Sequence, residues 1–282
     1  MTDLSPPDSI QLAARFRARV VFMSNAAKAA HLASALSCMD IVALLYHSVL
    51  QLDPLRPKWD ERDRFILSKG HAAAALYVAL AYKGFIPDAA LDTYGMAGSL
   101  LEEHPSPKLP GVEAATGSLG HGLPQGCGMA LAARIKQQGH RTFVLMSDGE
   151  CNEGSVWEAC MFAAAQRLGN LCAIVDFNKW QATGRSREVL ALDPLVDKFK
   201  SFGWDVREID GHDHAQIAHA VEHVSIREQK PTMVVAHTVK GRGVSFMEDD
   251  NNWHYRIPTV EEVQLARAEL DVPIERSRRV SA

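Results

Sequence analysis

Apolar and polar positions along the chain divide it into alternating elements. From Ile10 to Gln51, Ala, Leu, Val and Ile recur at three- and four-residue steps, a helical pattern that Asp53-Pro54 breaks. The charged run Trp59 to Arg64 leads into Phe65-Ile66-Leu67, a short apolar segment closed by Ser68-Lys69-Gly70-His71. Ala72 to Lys83 then reads as a helix stopped by Gly84. Leu100 to Gly122 is rich in Gly, Pro, Ser and His, too poor in apolar residues for a core element and too long for a plain connection, so it reads as a functional loop. Gly126 to Gln138 resumes a helix. Beyond it, Thr142 to Met146, Leu171 to Phe177, Trp204 to Ile209 and Thr232 to Thr238 read as strands, with helices at Ser155 to Leu168 and Ala215 to Glu228.

This alternation predicts an α/β fold, a parallel β-sheet with helices on both faces. Ligands on such sheets bind beyond the carboxyl ends of the strands, which directs attention to the polar residues that follow each apolar run. Two of these stand out. Ser147-Asp148-Gly149-Glu150 closes one strand and Asp176-Phe177-Asn178-Lys179-Trp180 closes the next, with Asn178 following Asp148 by 30 residues. One strand-helix-strand unit consumes about 30 residues, so Asp148 and Asn178 should emerge side by side. A carboxylate, an amide oxygen and the Trp180 carbonyl are hard oxygen donors suited to Mg²⁺, or another divalent cation such as Ca²⁺, with diphosphate oxygens completing the shell. Gly149 would let a diphosphate approach the backbone, and the helix starting near Ser155 would add amide donors. Alone, an Asp-Gly and a distant Asn are as readily a helix cap and a turn.

Composition narrows the classes. The 282 residues are 47% hydrophobic, and 30 basic against 34 acidic residues give a net charge of -4, unlike the basic profile of a nucleic-acid binder. The longest apolar stretches fall short of the roughly 20 residues a membrane span needs. The first ten residues carry acids and prolines where a signal peptide would be basic and then apolar, so a cytoplasmic protein is expected. Five cysteines form no CxxC pair and suggest neither a zinc site nor a disulfide framework. The glycines from Gly117 to Gly128 lack the spacing of a dinucleotide-binding turn, and no GxSxG, HExxH or phosphate-loop sequence occurs.

Four blocks in order, RDRFILSKGHAA from Arg62, LPGVEAATGSLGHG from Leu109, SDGECNEGSVWEA from Ser147 and VKGRGVSFMEDDNNWHY from Val239, make the chain resemble the transketolase family. The resemblance covers nearly the whole chain and implies the family's thiamine-diphosphate-binding fold, expected as a single diphosphate and metal domain over 1–274 with a disordered tail over 275–282. Carried over, Asp148, Asn178 and the Trp180 carbonyl match the family's metal ligands. Lys69, His71, Gly117, Leu119, Gly149 and Lys240 match positions around the diphosphate and thiazolium of thiamine diphosphate. Glu153 matches an acid beside the cofactor at the subunit contact. Three departures are visible: Ser147 replaces the signature's first Gly, Ala30-His31-Leu32 stands for Gly-His-Pro, and His121 stands where Gln is common.

Twelve histidines occur, and most are expected to be scattered, partly solvated residues. His219 and His223 could hold a metal on one helix face but lack a third ligand, so a surface position is expected. By the resemblance, His31, His71, His104 and His254 match substrate-channel histidines, and imidazoles titrating near neutral pH suit the proton movements of ketol transfer. The resemblance therefore implies one subunit of a transketolase that moves a two-carbon unit from a ketose or its phosphate to an aldose or its phosphate. It would need a separately encoded partner carrying the pyrimidine-binding domain, in an α₂β₂ assembly. The corresponding subunit of a 2-oxo acid dehydrogenase or decarboxylating synthase, and a non-catalytic cofactor-binding protein, are the alternatives.

Overall fold

The computed structural model describes residues 6–271, with side chains from Ser9 onward, so the expected tail lies outside the described residues. Helices α1 (Pro6–Ala27), α2 (Leu32–Ser37) and α3 (Met39–Leu44) come first, followed by a π turn over Leu45–Val49. The periodicity that reads as unbroken from Ile10 to Gln51 is therefore divided. Lys28 and His31 take left-handed backbone, with φ of 56° and 66°, which interrupts the helical hydrogen-bond ladder. The Ser24 hydroxyl closes α1 by donating to the Ala29 carbonyl at 2.7 Å.

Strand β1 (Arg64–Leu67), α4 (Ala73–Lys83) and α5 (Gly122–Ile135) follow, then β2 (Thr142–Ser147), α6 (Gly154–Ala165) and β3 (Leu171–Phe177). The rest is α7 (Ser186–Val189), α8 (Leu195–Ser201), β4 (Asp205–Asp210), α9 (His214–Val221), β5 (Thr232–His237) and α10 (Val260–Glu269). Helix α5 starts earlier than its apolar periodicity suggests, because Pro124 lies in a first turn that needs no N–H from it. Helix α9 stops at Val221, where the Val224 amide turns back to the Val221 carbonyl and the Ser225 amide leaves for Gly169 at 3.1 Å.

All five strands are parallel, in the order β1-β2-β3-β5-β4. Strands β2 and β3 are buried along their whole length, as mainly apolar strands covered on both faces must be. Alternate residues serve two cores: Phe143, Leu145, Cys172 and Ile174 pack with α1 to α4, whereas Val144, Met146, Ala173 and Val175 pack with α5, α6 and α8. Strand β4, at one edge, keeps its charged residues at least partly accessible. Among the described residues no helix is long and apolar enough to cross a membrane. Parallel strands place every carboxyl end on one edge, and Ser68, Asp148, Asn178 and Thr238 follow four of them directly.

Candidate active site

The register pairs Ser147 of β2 with Asp176 of β3, so Asp148 and Asn178 leave neighbouring strands one and two residues past a shared rung. Asn178 has a fixed orientation. Its Nδ2 donates toward Asp176 Oδ2 and Ser37 Oγ, both at 3.3 Å, which turns Oδ1 the other way, where it accepts from the Trp180 amide at 3.0 Å. Asp148 is fully buried; its oxygens accept from the Gly149 amide at 2.8 Å and the Ser186 hydroxyl at 2.7 Å, with no cation paired to it among the described residues. Burial pushes its carboxyl up to about 6, opposed by Ser186 and reinforced by the charge of Asp176. The Trp180 indole is clamped by Asp249 at 2.7 Å and by the Arg185 guanidinium 3.7 Å above its ring, which fixes the backbone carrying its carbonyl.

Beneath these groups lies Asp176, a residue for which sequence reasoning suggests no role. Burial raises its carboxyl, but the buried Lys69 ammonium and hydroxyls of Ser37 and Thr238 outweigh that and hold it below the usual range. Lys69 responds in the opposite sense: burial lowers it, Asp176 raises it, and its ammonium also donates to the Ser34 carbonyl at 2.8 Å. Lys69 is thus bound into an ion pair. The one signal for Asp176 is an acid at the end of an otherwise apolar strand.

The loop 117–122 is seated on the start of α6. The Gly120 amide donates to Glu150 Oε1 at 3.0 Å, and its carbonyl accepts from the Ser155 hydroxyl at 2.8 Å. A Cβ at Gly120 would come within 2.5 Å of the Glu153 side chain, and one at Gly117, where φ is +133°, within 2.5 Å of the His104 ring. Glu153 is exposed at the N-cap of α6. Leu119, half-buried, accepts at its carbonyl from the His121 ring at 3.1 Å. At Gly149 a Cβ would meet nothing closer than the Gln181 side chain at 3.4 Å. Ser147 fits its position without strain, with φ −85° and ψ 160°, and its amide donates to Glu150 at 2.9 Å.

The four histidines named from the sequence form one cluster. His31 is central, with ring centroids 5.1 Å from His254, 5.5 Å from His71 and 6.5 Å from His104. The His31 amide donates to the His254 carbonyl at 2.8 Å, which ties the left-handed turn before α2 to the short helix Asn251–His254. Lys240, 1% exposed, donates to Asn251 Oδ1 at 2.7 Å and contacts His254 Nδ1 at 3.0 Å. Both partners are uncharged. Burial first, and then the charge of Lys69, lowers the Lys240 ammonium to about 8. The other amide group of Asn251 bonds the Ala182 carbonyl at 3.1 Å, so the Lys240 group and the Trp180 loop are interlocked.

The expectation that these imidazoles titrate near neutral pH is corrected for three of them. Burial, followed by the charge of Lys240, pushes His254 down to about 3; burial and Lys69 hold His71 well below its usual value; burial and His104 lower His31. They are neutral at pH 7, each offering one N–H and one lone pair. His31 Nδ1 is buried with no partner among the described residues.

The other histidines divide. His219 and His223 are exposed on α9 beside Glu222, and no three-residue His, Cys, Asp or Glu metal cluster exists among the described residues. His214 is instead buried against Asp40 at 3.2 Å, and His212 joins the same carboxylate at 2.7 Å while accepting the Val239 amide at 2.9 Å. All five cysteines are buried and free.

Comparison with known proteins bears on the fold and the family. Residues 9–280 match the family model described as the thiamine diphosphate binding domain of transketolase. The chain is 42% identical over 260 residues to one of the subunits of the apulose-4-phosphate transketolase of Phocaeicola vulgatus, covering 92% of each protein. It is also 42% identical over 242 residues to the 6-deoxy-6-sulfo-D-fructose transketolase subunit of a Clostridium species, covering 86% of this chain and 88% of that one. The crystal structure of a Pichia stipitis transketolase complex with sedoheptulose 7-phosphate superposes with a TM-score of 0.87 at 29% identity, covering 93% of this chain and 41% of that one. A Campylobacter jejuni transketolase gives 0.82 at 26%, with 94% and 47% covered, so this chain spans less than half of either solved protein.

Proposed function

The chain belongs to the transketolase family through its thiamine diphosphate binding domain, and we propose that it is the cofactor-anchoring half of a two-chain transketolase. It moves a two-carbon ketol unit from a ketose or ketose phosphate to an aldose or aldose phosphate. Similar proteins of matching length are named as single subunits of transketolases, which favours this reading over a 2-oxo acid dehydrogenase component. The observation that carries it is a juxtaposition at one sheet edge. Among the described residues Asp148 and the Asn178 and Trp180 oxygens pair with no cationic side chain, and the buried Lys240 ammonium pairs with no carboxylate. A divalent cation, Mg²⁺ in our proposal, and the diphosphate of thiamine diphosphate answer both wants.

In this reading Asp148, Asn178 Oδ1 and the Trp180 carbonyl hold the cation. Lys240, the start of α6, Gly149 and the loop bearing Gly117 and Leu119 receive the diphosphate, with Lys69 and His71 beneath and Glu153 at the subunit contact. Bound thiamine diphosphate supplies the carbon centre that takes up and releases the ketol unit. The protein's own share is proton handling and orientation. Neutral His31, His71 and His254 each donate one hydrogen bond and accept another at substrate oxygens, and His104 acts at the exposed side of the cluster.

The complementary surface, holding the aminopyrimidine, belongs to a separately encoded partner in an α₂β₂ assembly. Residence in the cytoplasm and a single domain over 1–274 complete the proposal. Purified chain with thiamine diphosphate and Mg²⁺ is expected to show no ketol transfer from fructose 6-phosphate until the partner is added. Turnover by the chain alone, absent in an identically prepared Asp148→Ala control, would overturn it.

A further inference from the structure

Exposure orders the histidine cluster by depth. His254 is buried, His31 and His71 are half-buried, and His104 is exposed. One further ring joins it: Tyr255, whose centroid lies 4.7 Å from that of His254 and 6.0 Å from that of His31. Tyr255 and His104 both flank His31 at the rim.

A single exposed aromatic is ordinary on a protein surface. Tyr255 differs in where it sits and in how firmly its backbone is held. On one side Trp253 is wholly buried and its indole donates to the Phe246 carbonyl at 2.9 Å. On the other, the Arg256 guanidinium lies 4.3 Å from the Trp253 ring centroid and pairs with Glu262. The His31 amide holds the His254 carbonyl at 2.8 Å. Between these anchors Tyr255 stays 63% exposed, and its hydroxyl has no hydrogen-bond partner among the described residues. A rigid turn thus presents a large amphipathic ring, already paired edge to face with His254, at the exposed rim of the histidine cluster.

We propose that Tyr255 is a specificity-determining residue whose ring face packs against the sugar carbons beyond the transferred two-carbon unit. The inference rests on the ketol-transfer reading above. An aldose accepts the unit at its aldehyde carbon, so its remaining carbons must extend from the deep histidines toward the rim. There His104 offers a polar edge and Tyr255 an apolar face, which suits the C–H face of a polyol chain. A two-carbon acceptor is too short to use the ring.

The test uses the complex of this chain with its partner, thiamine diphosphate and Mg²⁺. Fructose 6-phosphate is the donor, and glycolaldehyde is compared with ribose 5-phosphate as acceptor. Tyr255→Ala is expected to lower kcat/KM for ribose 5-phosphate about tenfold while changing that for glycolaldehyde less than about twofold. Tyr255→Phe keeps the ring and should stay within about threefold of wild type for both. Thiamine diphosphate affinity by calorimetry and assembly by gel filtration should be unchanged. Equal losses for both acceptors, or loss of assembly, would overturn the assignment, the latter making Tyr255 a subunit contact. A wild-type complex inactive with every acceptor would instead sink the ketol-transfer reading, and this inference with it.

Discussion

Two neighbouring polar regions lie at the same edge of the sheet and are built on opposite plans. Around Asp176, each charge is matched: the carboxylate takes the Lys69 ammonium and the Ser37 and Thr238 hydroxyls, and all of these groups are buried. Along the rest of that edge the groups are unmatched: among the described residues His31 Nδ1 has no partner, Lys240 has only neutral hydrogen-bond partners, and Asp148 forms no ion pair. Buried polar groups without partners cost free energy and persist where something else satisfies them. We read the first region as framework and the second as the ligand site proposed above.

The largest expected effect separates the two carboxylates. Asp176→Asn strands the Lys69 ammonium in the interior, and breaking a buried pair from one side costs about 3–5 kcal/mol. For a chain of this size that is a fall of roughly 10 °C in thermal midpoint. Asp148→Asn removes a buried charge that forms no ion pair among the described residues, so thermal stability without cofactor should not fall, while calorimetry on the assembled complex should show Mg²⁺-dependent thiamine diphosphate binding abolished. A midpoint that drops equally in both variants would erase the distinction between framework and site.

Next in size are the histidines. His104→Ala removes an exposed rim group with no role in holding Lys240, so turnover should fall about 10²-fold at unchanged cofactor affinity. His254→Ala also removes a hydrogen-bond partner of Lys240, and there cofactor affinity should weaken as well. Steady-state kinetics at saturating and limiting thiamine diphosphate distinguish the two. Wild-type turnover in His104→Ala would return that residue to the surface.

Much of this plan was legible in the sequence where composition and spacing are local. The runs Thr142 to Met146 and Leu171 to Phe177 marked their strands because residues buried on both faces must be almost wholly apolar, Asp176 being the exception. The interval between Asp148 and Asn178 placed them together because one crossover has a narrow range of lengths. The four histidines were assembled only through resemblance, since no periodicity joins His31 to His254. Partner choice was not legible at all: Asp176 meets Ser37 from α2 and Thr238 after β5, and nothing in an apolar pattern encodes such pairings. Nor does periodicity register the sign of φ, so the left-handed turn that ends α1 and aims His31 into the cluster was hidden inside a helical pattern. The neutrality of His31, His71 and His254 likewise required depth and the placement of Lys69 and Lys240, which sequence order does not supply.

The smallest effect is a pH dependence that belongs to the unmatched region alone. A free lysine titrates near 10.5, and burial lowers Lys240 to about 8. Its charge is therefore present below about pH 8 and lost above it, while the unfolded chain keeps its proton up to the free value. An anion held by the ammonium favours the protonated form, so binding takes up a proton above pH 8 and affinity must decline there. Between pH 7 and pH 9 the dissociation constant of thiamine diphosphate should rise roughly tenfold, as one lost charge at that value dictates. Lys69 should contribute nothing to this slope, because Asp176 raises its value and keeps it charged. Lys240→Arg retains a charge throughout the range and should flatten the profile, even where its larger head weakens binding overall. Calorimetric titrations at constant Mg²⁺ and ionic strength measure the slope directly. A wild-type profile that stays flat to pH 9.5, or a slope that survives in Lys240→Arg, would show that the diphosphate is not held by this ammonium.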